Sequence, residues 1–82
     1  MKCHPELLNR MHRLQGQMKG ILAMMENQTT CEDIVVQLKS IRANVDKTLS
    51  LLTTENLQQV MISSPKDQKA IQSAMDLIVK SR

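Results

Sequence analysis

An all-α chain is what this sequence predicts, a helical hairpin followed by a short third helix, and three observations carry the expectation. Apolar residues recur at steps of three and four through two long segments, the spacing that lines one side of a helix. Only two Gly and two Pro occur in 82 residues, and neither a hairpin-turn dipeptide nor an alternating strand pattern interrupts the run. There is no Phe, Tyr or Trp, so bulk comes from Leu, Ile, Val and seven Met. Aromatic side chains supply the largest buried areas in small domains, and a chain this short is marginal alone. A second copy is therefore expected to complete the core as a dimeric four-helix arrangement.

The first helix is expected over about 5–27. Pro5 suits the first turn, and Leu7, Met11, Leu14, Met18, Ile21 and Met25 follow in steps of four and three. Gly16 and Gly20 interrupt good helix formers, which suggests close approach of another backbone. The polar stretch Asn27-Gln28-Thr29-Thr30 ends the run. Thr29 or Thr30 can then cap a second helix over about 31–62, with Glu32 and Asp33 at its positive end. Ile34, Leu38, Ile41, Val45, Leu49, Leu52, Leu57, Val60 and Met61 keep the helical spacing. At 1.5 Å per residue this helix runs about 48 Å, longer than the first can cover. Ser63-Ser64-Pro65 reads as a joint, with proline opening a third helix over about 65–80 that carries Ile71, Ala74, Met75 and Ile78. No linker or repeat divides the chain, so residues 1–82 are expected to form one domain.

The formal charge of +3 permits a nucleic-acid partner without demanding one. Without aromatic rings there is no platform for stacking single-stranded bases. The start lacks the apolar stretch of a signal peptide, and no segment approaches the roughly 20 apolar residues of a membrane span. A soluble, cytoplasmic protein without a membrane partner is expected, its Cys3 and Cys31 resting as thiols. No paired acid and base, phosphate loop or nucleophile triad is present, so an enzyme is not expected.

Several stretches carry more information than their periodicity. They are Leu8-Asn9-Arg10-Met11-His12-Arg13-Leu14-Gln15-Gly16-Gln17, Gly20-Ile21, Met24-Met25-Glu26, Cys31-Glu32-Asp33-Ile34, Gln37-Leu38 and Arg42-Ala43-Asn44-Val45. Together they resemble the CsoR/RcnR/FrmR family of metal- and thiol-sensing transcriptional repressors. Glu55-Asn56-Leu57 and the tail Leu77-Ile78-Val79-Lys80-Ser81-Arg82 are most similar to its persulfide-sensing CstR branch. The resemblance implies an antiparallel pairing of second helices across a dimer, assembly to a homotetramer, and binding of double-stranded operator DNA until an effector occupies the second-helix cysteine. It singles out Arg10 and Lys47 as DNA-binding residues; Arg13 and Gln17 on the first helix, and then Lys39 and Arg42 along the second, are the further candidates. Guanidinium groups suit phosphate because they pair hydrogen bonds with charge neutralisation. Asp46 beside Lys47 offers the competing explanation, a solvated, locally balanced face; a helical oligomer acting only through protein partners would look the same.

The resemblance also makes Cys31 the sensing thiol. The positive end of a helix suits a reactive thiolate, while Glu32 and Asp33 oppose it. In the copper branch the partner subunit supplies a His and a Cys at the positions held here by Asn56 and Val60. Neither side chain is a soft ligand, so that copper site is not expected, nor is the nickel/cobalt site that uses His at the Asn56 position. The persulfide branch places its second thiol at the Val60 position. Cys3 is the remaining thiol and is expected to act as a resolving partner to Cys31 of a neighbouring subunit, which makes a reactive sulfur species the favoured inducer. Formaldehyde sensing needs a proline amine, whereas Pro5 is internal. No cofactor is required. A set of Cys31, Cys3 and His4 would suit a thiophilic metal ion, the alternative inducer.

Overall fold

Helix α1 spans Pro5–Glu26, α2 Cys31–Ser63 and α3 Gln68–Lys80 in the computed structural model, which describes residues 3–82. These three helices account for all regular structure among the described residues. Pro5 opens α1 as expected, and the His4 side chain caps it by accepting the Glu6 amide at 3.2 Å. That cap had no signal in the sequence, because histidine is not among the preferred capping residues.

The turn between α1 and α2 is built from backbone hydrogen bonds. The amide of Thr29 donates to the Met24 carbonyl (3.0 Å) and that of Gln28 to Met25 (3.4 Å), the pairing that satisfies a helix end when the chain turns left-handed. Gln28 supplies that conformation, with φ of 60°. Thr30 then caps α2, its Oγ1 accepting from the Asp33 amide at 3.3 Å.

Helix α3 begins three residues later than the proline suggested. Pro65 and Lys66 form a tight turn in which the Asp67 amide donates to Ser64 (3.0 Å), a setting that favours proline at the second position. The Asp67 carboxylate, accepting the Ala70 amide at 3.0 Å, is the cap. A proline close before a helix thus served the turn and not the helix.

The hairpin packs in a seven-residue rhythm. Leu7, Leu14 and Ile21 are the buried residues of α1, while Ile34, Ile41 and Thr48 are buried on α2. Leu14, Ile21, Ile34 and Ile41 form one cluster, with Met24 packed against it. The apolar run expected along α1 is therefore split. Its alternate members Met11, Met18 and Met25 are more than half exposed, as are Leu8 and Leu22. On α2, Val35, Leu38 and Val45 remain nearly half exposed. Outside their own helix backbone, Gly16 and Gly20 have no heavy atom of the described residues within 4 Å of where a Cβ would stand, so no other described part of the chain uses the close approach they permit.

Two polar residues hold core positions. Thr48 and Thr53 are buried, and each hydroxyl donates back to its own helix, to Asn44 (2.8 Å) and to Leu49 and Ser50 (3.1 Å each). This back-bonding satisfies a hydroxyl without a partner from elsewhere.

Both α1 and α3 pack on α2 and not on each other. The result is a slab of 56 × 23 × 12 Å with a radius of gyration of 16.9 Å. A compact chain of this length would have a radius near 12 Å, and 12 Å is the thickness of a single helix with its side chains. One layer has two broad faces and no enclosed interior, so which residues lie on which face decides what the molecule can do.

The left-handed Gln28 gives a direct test. Replacing it with Gly removes a side-chain penalty of about 1–2 kcal/mol, offset in part by the greater freedom of the unfolded chain. Gln28→Gly is expected to raise the melting temperature by a few degrees; an unchanged or lower value in thermal denaturation would contradict the assigned turn.

Candidate nucleic-acid interface and sensing thiol

Helical rotation of 100° per residue sorts the charged residues between the two faces. Arg10, Arg13 and Gln17 follow one another at steps of three and four on the flank of α1 away from Met11 and Met18. Across the hairpin, the Asn44 side chain donates to Gln17 Oε1 at 3.1 Å, which sets Asn44 and its neighbour one turn on, Lys47, on the same face. Arg10, Arg13, Gln17, Asn44 and Thr48 line one shallow groove. A second, adjoining groove brings Arg10 together with Lys47, and with His4, Glu6 and Glu55. The fold thus gathers four of the six expected DNA-contacting residues onto one surface, with two carboxylates tempering its positive charge at the α1 N-terminal end.

Gln17 enters this surface with its carboxamide oxygen committed to Asn44, so its amide hydrogens remain as outward donors. Asn44 was not identified from the sequence as part of the site. Its signals were its place in the stretch Arg42-Ala43-Asn44-Val45 and its position three residues before Lys47, one turn along the same side of α2.

Lys39 and Arg42 lie elsewhere. Both are exposed, but Lys39 projects from the side of α2 opposite α1, and Arg42 stands in the row formed by Leu38, Val45 and Leu49. The structure does not bring either to the face that holds Arg10 and Lys47.

The thiols are also separated. Cys31 is exposed at the first position of α2, and Cys3 is exposed ahead of α1. In an antiparallel hairpin these points lie at opposite ends of α1, about 30 Å apart for its 22 residues. Cys3, His4 and Cys31 therefore do not assemble within one chain. No group of three or more His, Cys, Asp and Glu side chains able to hold a metal ion exists among the described residues. The His4 Nδ1 is taken by the Glu6 amide, which leaves Nε2 as its one free ring nitrogen. Asn56 and Val60 sit one turn apart and half-buried in the C-terminal half of α2, far along the same helix from Cys31. Within a single chain the residues do not fit a metal ion.

No helix among the described residues is long and apolar enough to cross a membrane.

Comparison with known proteins gives a consistent picture. The family described as metal-sensitive transcriptional repressors matches residues 4–80. The copper-sensing transcriptional repressor CsoR of Bacillus subtilis (strain 168) is 30% identical over 78 residues, covering 92% of this chain and 77% of that protein. The uncharacterized protein YrkD of the same organism is 33% identical over 63 residues, 72% of this chain and 100% of YrkD. Among solved structures, the nickel-responsive transcriptional regulator InrS superposes with a TM-score of 0.80 at 14% identity, covering 99% of this chain and 94% of that one. At that identity the likeness establishes the fold, three helices arranged as here.

The separation of the thiols fixes what oxidation can produce. After treatment with diamide, any Cys3–Cys31 disulfide is expected to link two chains and to migrate as a dimer on non-reducing electrophoresis. A faster-migrating monomer with an internal disulfide, identified by peptide mass, would contradict the hairpin geometry.

Proposed function

Because the chain belongs to the family of metal-sensitive transcriptional repressors, we propose that its residues form one sensor and DNA-binding domain that grips double-stranded operator DNA through the face carrying Arg10, Arg13, Gln17 and Lys47. Members of this family are repressors and not enzymes. The observation that carries the reading is the gathering of Arg10 with Arg13 in one groove and with Lys47 in the next. Each guanidinium can pair with a phosphate through two parallel hydrogen bonds, and the Gln17 amide adds a neutral donor one turn beyond Arg13. A single chain offers too few cations to hold a duplex firmly. Association of α2 with α2 of a second copy, and of two such dimers, repeats the face four times and makes a surface that spans DNA.

The sensing centre is Cys31. The copper-sensing relative supports a metal as the inducer, and a thiolate is the soft ligand such ions prefer. The remaining donors must come from another copy, since Cys3 and His4 lie at the far end of the hairpin from the Cys31 of their own chain. A reactive sulfur species is the second reading. It is favoured by the two exposed thiols together with the absence of imidazole or thiol at Asn56 and Val60.

Two expected outcomes follow. Arg10→Ala and Lys47→Ala should each lower operator affinity by about tenfold or more, and should flatten the plot of log K against log salt by about one for each phosphate contact removed. Binding that is absent or insensitive to salt in the unaltered protein would favour an oligomer acting through protein partners alone. Cys31→Ala should bind operator as the unaltered protein does, yet stay bound when Cu(I), Zn(II) or polysulfide is added. Normal release of that variant would remove Cys31 from the sensing role.

A further inference from the structure

Arg42 is one of the two expected DNA contacts, with Lys39, that lie off the basic face. It lies within the row Val35, Leu38, Arg42, Val45, Leu49 and Leu52, whose steps of three and four are those of a seam between two helices. Neither α1 nor α3 covers the first half of this row: Val35 is 49% exposed, Leu38 46% and Val45 45%. An arginine in such a row is costly to bury without a matched acid. Asp46 stands four residues on, along the edge of the same seam, and it too is exposed.

We propose that Arg42 and Asp46 form a four-charge cluster at the centre of an antiparallel α2–α2 interface with a second copy of this chain, Arg42 of each copy pairing with the partner's Asp46. The inference rests on the pairing of α2 with α2 proposed above and assigns what sets its register and its choice of partner. The row is symmetric about Val45, with Leu38 seven residues before it and Leu52 seven after. An antiparallel two-fold axis through Val45 sets Leu38 against the partner's Leu52, the apolar match that such an axis requires. The same axis brings Arg42 level with position 48 of the second chain. The partner's Asp46 is then about 3 Å away along the axis and on the same flank, within the reach of a guanidinium. Two arginines and two aspartates meet there, so the cluster is neutral as a whole.

The charge complementarity is specific to a two-fold arrangement. Within one chain, Arg42 could reach Asp46 only as a basic residue one turn before an acid, the less favourable order on a helix. Across the axis each charge has an opposite neighbour from the other copy. A slip of one heptad would set Leu38 or Leu52 against the partner's Val45, still an apolar match, but would separate Arg42 from the partner's Asp46. The charges thus discriminate between registers that apolar packing alone would leave close in energy.

The test uses the full chain, with self-association followed by sedimentation equilibrium. Arg42→Asp and Asp46→Arg are each expected to weaken dimerisation at least about hundredfold, because each sets four like charges at the axis. Mixed in equal amounts, the two variants should form a heterodimer within about tenfold of the original affinity, since every charge then faces its opposite. The neutral pair Arg42→Gln with Asp46→Asn should dimerise with little dependence on salt. If the unaltered chain does not associate, the α2–α2 reading itself fails. If it associates but either charge reversal dimerises normally, or the mixture regains nothing while both variants keep helical circular dichroism, the cluster is disproved. Retained salt dependence in the neutral pair would disprove it equally.

Discussion

The antiparallel register of α1 on α2 is the constraint on which the rest of this molecule depends. Leu14 and Ile21 meet Ile34 and Ile41 in one cluster, and each step of seven back along α1 is matched by a step of seven forward along α2, reaching Leu7 and Thr48. Burial of this row is what aligns Arg10 and Arg13 with Lys47, although they are more than 30 residues apart in sequence. A one-residue shift would rotate these side chains by 100° and dissolve the basic surface. The Asn44–Gln17 hydrogen bond spans the two helices on this face and records the same register in polar form.

A slab one helix thick divides naturally into two working faces. One carries cations, amides and hydroxyls. The other carries the exposed methionines of α1 and the valine and leucine row of α2, more apolar surface than a lone soluble chain tolerates well. In the proposed assembly, association on the apolar face leaves the polar face free, so oligomer formation and DNA binding would not compete for the same side chains. Cys31 heads the apolar row of α2, one turn before Val35, while Cys3 precedes α1 at the other end of the hairpin, so one chain alone cannot bring the two thiols together.

Much of this was legible in the residues. The apolar spacing located both long helices, and the Thr29-Thr30 pair marked the start of α2 at Cys31, with Thr30 as the cap. What could not be read was how one apolar run would be divided. Spacing alone does not say that Leu7, Leu14 and Ile21 turn inward while Met11, Met18 and Met25 stay bare, because all six occupy the same broad stripe of the helix. Thr48 and Thr53 escaped notice because their hydroxyls hide by bonding to their own helix. The start of α3 was misplaced because Pro65 serves a turn as readily as a helix. For the candidate site, family resemblance ranks Arg10 and Lys47 above Lys39 and Arg42, and the three-dimensional register places the two pairs on different sides of α2.

Covalent labelling of lysine and arginine side chains, read by mass spectrometry with and without operator DNA, tests this division most directly. Operator binding should protect Lys47, Arg10 and Arg13 and leave Lys39 and Arg42 as reactive as before. Protection of Lys39 with Lys47 still open to the reagent would place the DNA on the other side of α2 and contradict the account.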